Sequence, residues 1–328
     1  MPEPVATPLL HAAVARLCDR LAGLVDATPW ASADVATATA ALLRDLAADA
    51  ADAALATAPG DTADAADAAP AAAPGDTAGA ASAALGTAPV GAPEPLACLA
   101  AGLGATPAEC DAVVLAGLAD HHEALSATFR LLHPDDDPWP TLGLAAQLAT
   151  AGPAERAALR RSADAGPLAV CLRPVEDDHP AWERPLRLVA GLWPVLAGEA
   201  GAPGASSLGA VRGGPVVAGL DGWLDRPDVV AAARLVAVGA PVAVVVTAAD
   251  AAAAAERGRA LVLSAGRQPL GFRPARLDDP TARAARAHAA AAGAVPVVAV
   301  PDGGPAAAVP GPGPAVLGTR RGGPLPAA

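Results

Sequence analysis

The run 242–246, Val-Ala-Val-Val-Val, constrains this chain more than any other stretch. β-branched side chains with no polar interruption suit a strand buried on both faces of a parallel sheet. From Asp250 to Ser264 the composition switches to Ala, Glu, Arg and Leu, all good helix formers. The same alternation extends on either side: a helix over 228–238, then strands and helices over 269–272, 280–292, 295–300 and 315–318. Strand and helix at this spacing predict a doubly wound parallel sheet over 215–328.

The 328 residues leave room for more than that sheet. Apolar residues make up 53% of the chain but aromatics only 2%, so the core must be built from Leu, Val and Ala. The net charge of −12 is uneven: 12 acidic against 3 basic residues over 1–98, 14 against 7 over 99–200, and 8 against 12 over 201–328. An acidic first two-thirds disfavours nucleic acid and anionic lipid as partners. Cys18, Cys98, Cys110 and Cys171 lack CxxC spacing and read as reduced, packed thiols. With no basic leader and no long apolar run, neither a signal peptide nor a membrane span is expected, and the expected location is cytoplasmic.

In chain order, Leu9, Leu10, Ala13, Val14, Leu17, Leu21, Leu24 and Val25 recur at helical spacing behind Pro8, and Thr28-Pro29 closes that helix. Ser32 is a good N-cap for a second helix through Leu42, Leu43 and Leu46, so 1–58 reads as a helical hairpin. Residues 59–95 are low in complexity: APGDTA occurs at 58–63 and again at 73–78, and nothing there forms a packed face. They read as an acidic linker. Thr106-Pro107-Ala108-Glu109 is a capping-box start. Helices are expected behind it, over 121–133, after Thr141 and over 153–165. Two short strands follow near 168–175 and 185–189. Helices followed by a two-stranded ribbon predict a winged-helix domain over 96–200, joined by a Gly/Ala/Ser connector (201–214) to the α/β domain. The whole is thus a multidomain α and α/β chain.

The segments GLGATPAECDAVVLAGLADHHEALSATFRLLHPDDDPWPTLGLAAQLA, GPAERAALRR and PLRLVAGLWPVLAG resemble the winged-helix region ahead of the ATPase module in a group of bacterial AAA-type ATPases. Some members of that group are encoded with phage-tail-like contractile injection systems. The resemblance is carried by Pro107 and Glu109, by Pro140-Thr141 and by 186–198, and it extends over about residues 97–320. The abundance of arginine without lysine resembles proteins of GC-rich actinobacteria. The resemblance implies an ATP-hydrolysing family, sometimes with a degenerate first module ahead of an active second one. It places the phosphate loop at Thr247-Ala248-Ala249-Asp250, a metal-binding Asp at Asp302 and a γ-phosphate-sensing residue at Thr319. The residues withhold the chemistry. A phosphate loop needs glycines, a Lys and a Ser/Thr, whereas this turn has no glycine and the chain has no lysine. No Glu follows Asp302. MgATP is therefore expected only if the intact protein carries a further ATPase module.

Four other groups carry residue types that could form a site. His121, His122 and Glu123 invite a metal, but adjacent helical histidines point about 100° apart. Asp135-Asp136-Asp137 lacks the spaced ligands of a calcium loop. Ser206 and Ser207 have no nucleophile elbow. Cys110 or Cys171 as a nucleophile needs a basic neighbour. For DNA, the helix after Thr141 has no basic residue. The sequence thus predicts the N-terminal, non-catalytic portion of an AAA-type ATPase, with protein partners through the winged helix and the N-terminal helices, and with oligomerisation open. The rival readings are a stand-alone protein–protein adaptor and a winged-helix transcription regulator.

Overall fold

The computed structural model describes residues 7–28, 33–57, 94–133, 135–174, 180–199, 208–209, 219–302 and 307–323. The first helix, α1 (Pro8–Ala27), has Pro8 in its first turn and buries Leu10, Ala13, Leu17, Leu21 and Val25 as one stripe. Its end is at Thr28, whose N–H donates to the Val25 carbonyl (3.2 Å). The second helix, α2 (Ala33–Thr57), pairs with α1 as the expected hairpin. The Ser32 cap lies outside the described residues, as does the linker up to residue 93.

The helical body comprises α3 (Pro95–Leu103), α4 (Pro107–His121), α5 (Glu123–Leu132), α6 (Leu142–Ala149) and α7 (Pro153–Ala165). The capping box is complete: Thr106 accepts from the Glu109 N–H, and the Glu109 carboxylate accepts from the Thr106 N–H at 2.6 Å. His122 adopts an extended conformation (φ −134°, ψ 113°), which ends α4 and starts α5. Thr141 caps α6 through the Leu144 N–H (3.1 Å). The hairpin is tied to this body: Asp111 of α4 pairs with Arg16, with Arg20 at 4.0 Å, and Glu94 accepts from the Leu10 N–H at 2.7 Å.

The strand expected over 168–175 is not formed. Pro167–Cys171 is a short helix, α8, with Leu168, Ala169, Val170 and Cys171 all buried. A brief apolar run satisfies a buried helical turn as well as a buried strand, and Pro167 in the first turn favours the helix. Extended pairing reduces to two antiparallel bridges, Leu172 with Leu188 and Thr141 with Pro185. Another short helix, α9 (Leu192–Leu196), follows.

The remaining elements are α10 (Asp221–Leu224), α11 (Pro227–Ala237), β1 (Ala243–Ala248), α12 (Ala251–Ser264), β2 (Pro269–Phe272), α13 (Asp279–Ala291), β3 (Val295–Ala299) and β4 (Ala315–Arg320). The four strands form one parallel sheet in the order β1-β4-β3-β2. Its faces divide by the pleat. Val246, Val297 and Val316 pack with α11 and α12, whereas Val298 and Leu317 join α13 and the helical body in a core that continues to α1. The valine run, expected to be buried on both faces, instead forms an edge. Val246 and Ala248 are buried, but Ala243, Val245 and Thr247 are exposed because neither α13 nor the body extends over that face of β1. Among the described residues no helix is long and apolar enough to cross a membrane.

Candidate functional site

All four strands are parallel, so their carboxyl ends share one edge of the sheet, where open α/β sheets bind ligands. The positions singled out in the sequence meet there. Thr247 and Ala248 are not part of a turn, however. They stay in β1, in register with Thr319 and Arg320, and the Arg321 N–H donates to the Ala248 carbonyl (3.0 Å). The ladder with β4 thus extends the strand by two residues and leaves only Ala249 and Asp250 to turn the chain into α12. Asp250 caps that helix, its Oδ1 accepting from the Ala253 N–H at 2.7 Å.

Asp302 follows β3 and ion-pairs with Arg320 at the end of β4, Nε to Oδ1 at 2.7 Å. Thr319 is buried, and Gly323 folds back onto it: a Cβ at Gly323 would stand 2.6 Å from the Thr319 Oγ1. Asp250, Asp302 and Thr319 are engaged within the protein, whereas Thr247 is exposed. The Asp250 carboxylate takes a first-turn donor that an anion would use, and its charge opposes a phosphate at the helix N-terminus. The Asp302 carboxylate is held by a guanidinium. The chain has no lysine to grip phosphates at this edge, and Asp250 holds the first turn of α12.

The other candidates separate in space. Among the described residues no group of three His, Cys, Asp or Glu side chains is placed to hold a metal. His133 Nδ1 accepts from the Asp135 N–H (3.0 Å), and Asp137 approaches Arg187 at 3.7 Å, so the Asp135–Asp137 stretch is a turn tied to its surroundings. Ser206 and Ser207 lie outside the described residues. Burial, with Asp111 and Glu109 beside it, pushes the Cys110 thiol up to about 11. Burial raises Cys171 further, with Cys110 and Glu109 adding to it. Neither thiol has the electropositive setting of a nucleophile.

One group escaped the sequence reading, which looked for basic residues on the helix after Thr141. It lies on α7, where Arg156, Arg160 and Arg161 are all exposed. Their i, i+4, i+5 spacing was the available signal. Trp182 completes a surface cleft beside them. The chain matches no protein-family model, no curated protein and no solved structure.

Proposed function

We propose that this chain is the N-terminal interaction portion of an AAA-type ATPase, with helices 96–200 acting as a winged-helix protein-contact domain and residues 215–328 as a nucleotide fold without a working phosphate loop. The observation that carries the reading is the carboxyl edge of the sheet. The positions that the resemblance assigns to phosphate, metal and γ-phosphate sensing converge there, and Asp250 and Asp302 are both spent on internal contacts. At the start of α12 what remains for an anion is the helix dipole, about 0.3–1 kcal/mol at an exposed site. A micromolar site needs about 8 kcal/mol.

The test is calorimetry of the purified chain with MgATP, with inorganic triphosphate as the control for unspecific anion binding to the arginines of 201–328. The expected result is no stoichiometric site for MgATP and no hydrolysis. A micromolar site that is lost in Asp302→Ala would overturn the reading.

A further inference from the structure

We propose that the exposed face of α7, with Trp182 beside it, is a docking site for an acidic helical segment of a partner protein. This helix is unusually bare: of its thirteen residues only Leu159 and Ser162 are buried. Arg156 and Arg160 are one turn apart, so their side chains emerge about 5–6 Å from each other, with Arg161 on the adjoining face. The Arg156 guanidinium lies 5.4 Å from the centre of the Trp182 ring. That ring is carried on fixed backbone. The Trp182 carbonyl accepts from the Gly143 N–H at 2.7 Å, and a Cβ at Gly143 would come within 2.8 Å of the same oxygen. Between helix and ring lies an open cleft of about 450 Å³.

Charge identifies the occupant. Asp164, the carboxylate of the cleft, is already taken by Arg184 (2.9 Å). Among the described residues Arg160 and Arg161 form no ion pair, in a chain whose net charge is −12. Arg156 and Arg160, one turn apart, match two carboxylates one turn apart on a facing helix, each pair able to form bidentate hydrogen bonds, with Arg161 on the adjoining face adding positive charge. Trp182 supplies the apolar, amphipathic contact that anchors such interfaces. Duplex nucleic acid fits less well. Three arginines neutralise few phosphates, and Glu155, Asp164 and Glu183 stand in or near the same patch.

The inference rests on the reading of the helical body as a protein-contact domain. Its test is independent of the nucleotide test, because calorimetry with MgATP does not involve α7. A fluorescein-labelled, amidated Ala-rich helical peptide with Glu at i, i+4 spacing is titrated with the full chain and followed by anisotropy. The same peptide with Gln for Glu, and a labelled short DNA duplex, run beside it at about 20 mM and about 150 mM salt. The variant is Arg160→Glu with Arg161→Glu, both exposed side chains, and its fold is checked by circular dichroism. The expected result is saturable binding of the Glu peptide, at least about tenfold tighter than the Gln peptide, weakened by salt, and reduced at least about tenfold in the variant. The proposal is overturned by no saturable binding up to about 1 mM, by equal binding of the Gln peptide, by binding indifferent to the charge reversal, or by tighter binding of the duplex.

Discussion

Cys110 stands between two carboxylates of its own helix, Glu109 and Asp111, and burial with their charge holds its thiol at about 11. Cys18 is raised to about 11 by burial and then by Asp19. The chain contains neither lysine nor tyrosine, so between pH 9 and 11 the cysteines titrate alongside Arg286, whose guanidinium is brought down to about 10 by burial and is unchanged by cysteine substitution. The sign follows from linkage. Below the ordinary thiol value of 9.0 both folded and unfolded states keep the proton, and the stabilisation is fully present. As pH rises toward 11, the unfolded chain gives up its thiol protons first, the folded state binds more protons, and stability falls. The urea midpoint should therefore drop steadily from pH 9 to 11, with a shallower slope after Cys18→Ala with Cys110→Ala. An unchanged slope would show that these thiols titrate normally. Modification by a thiol reagent at pH 8 should begin at Cys98, which is half-buried and, unlike Cys110, has one carboxylate (Glu94) rather than two acting on its thiol.

The start of α4 was legible residue by residue because a capping box is local. Thr106→Ala should cost about 1 kcal/mol in urea unfolding, since it strips the Glu109 N–H of its acceptor. Where elements meet, local rules fail. α12 rests on the sheet at Gly258: a Cβ there would stand 2.7 Å from Val316 Cγ1 and 3.1 Å from Val297 Cγ1. Gly258→Ala gains about 1 kcal/mol of helix propensity, against about 1–3 kcal/mol for overpacking. A lowered urea midpoint is expected, and a raised one would mean that the helix rides higher above the strands. The same distinction explains what could not be read beforehand. The valines of β1 announce a strand but not its neighbours, and exposed Val245 belongs to an edge because the chain elsewhere leaves that face open. The run in α8 is apolar at every position and carries no period. At the candidate site, the missing glycines and lysine were visible in the residues themselves. The Asp302–Arg320 pair required knowing that β4 lies beside β3.

α13 joins the two halves of the molecule. It is buried nearly all round, mostly through alanines, with β3 on one side and α3, α8 and α9 on others. A helix buried on nearly every face is an interior helix, and small side chains let its neighbours come close: a Cβ at Gly102 of α3 would stand 3.1 Å from the Ala290 Cβ. The polar groups of α13 are also satisfied across the molecule. The Arg286 guanidinium donates to the Pro310, Pro314 and Gly313 carbonyls at 2.9, 2.9 and 3.2 Å, and His288 Nε2 lies 2.9 Å from the Ala190 carbonyl. The composition shift after residue 200 therefore does not divide the core, since Leu270, Phe272, Val298 and Leu317 share one apolar cluster with the helices of the body. Cutting the chain there would expose those side chains together with the outer face of α13, and each fully uncovered Leu, Val or Phe forfeits about 1.5–3 kcal/mol of burial. A domain of ordinary stability has only about 5–15 kcal/mol in all. A fragment spanning 215–328 is thus expected to keep helical circular dichroism, bind a hydrophobic dye and unfold over a broad urea range, whereas the full chain gives a sigmoidal transition. If the fragment instead unfolds cooperatively at the midpoint of the full chain, α13 does not depend on the helical body, and the sheet is a self-sufficient domain.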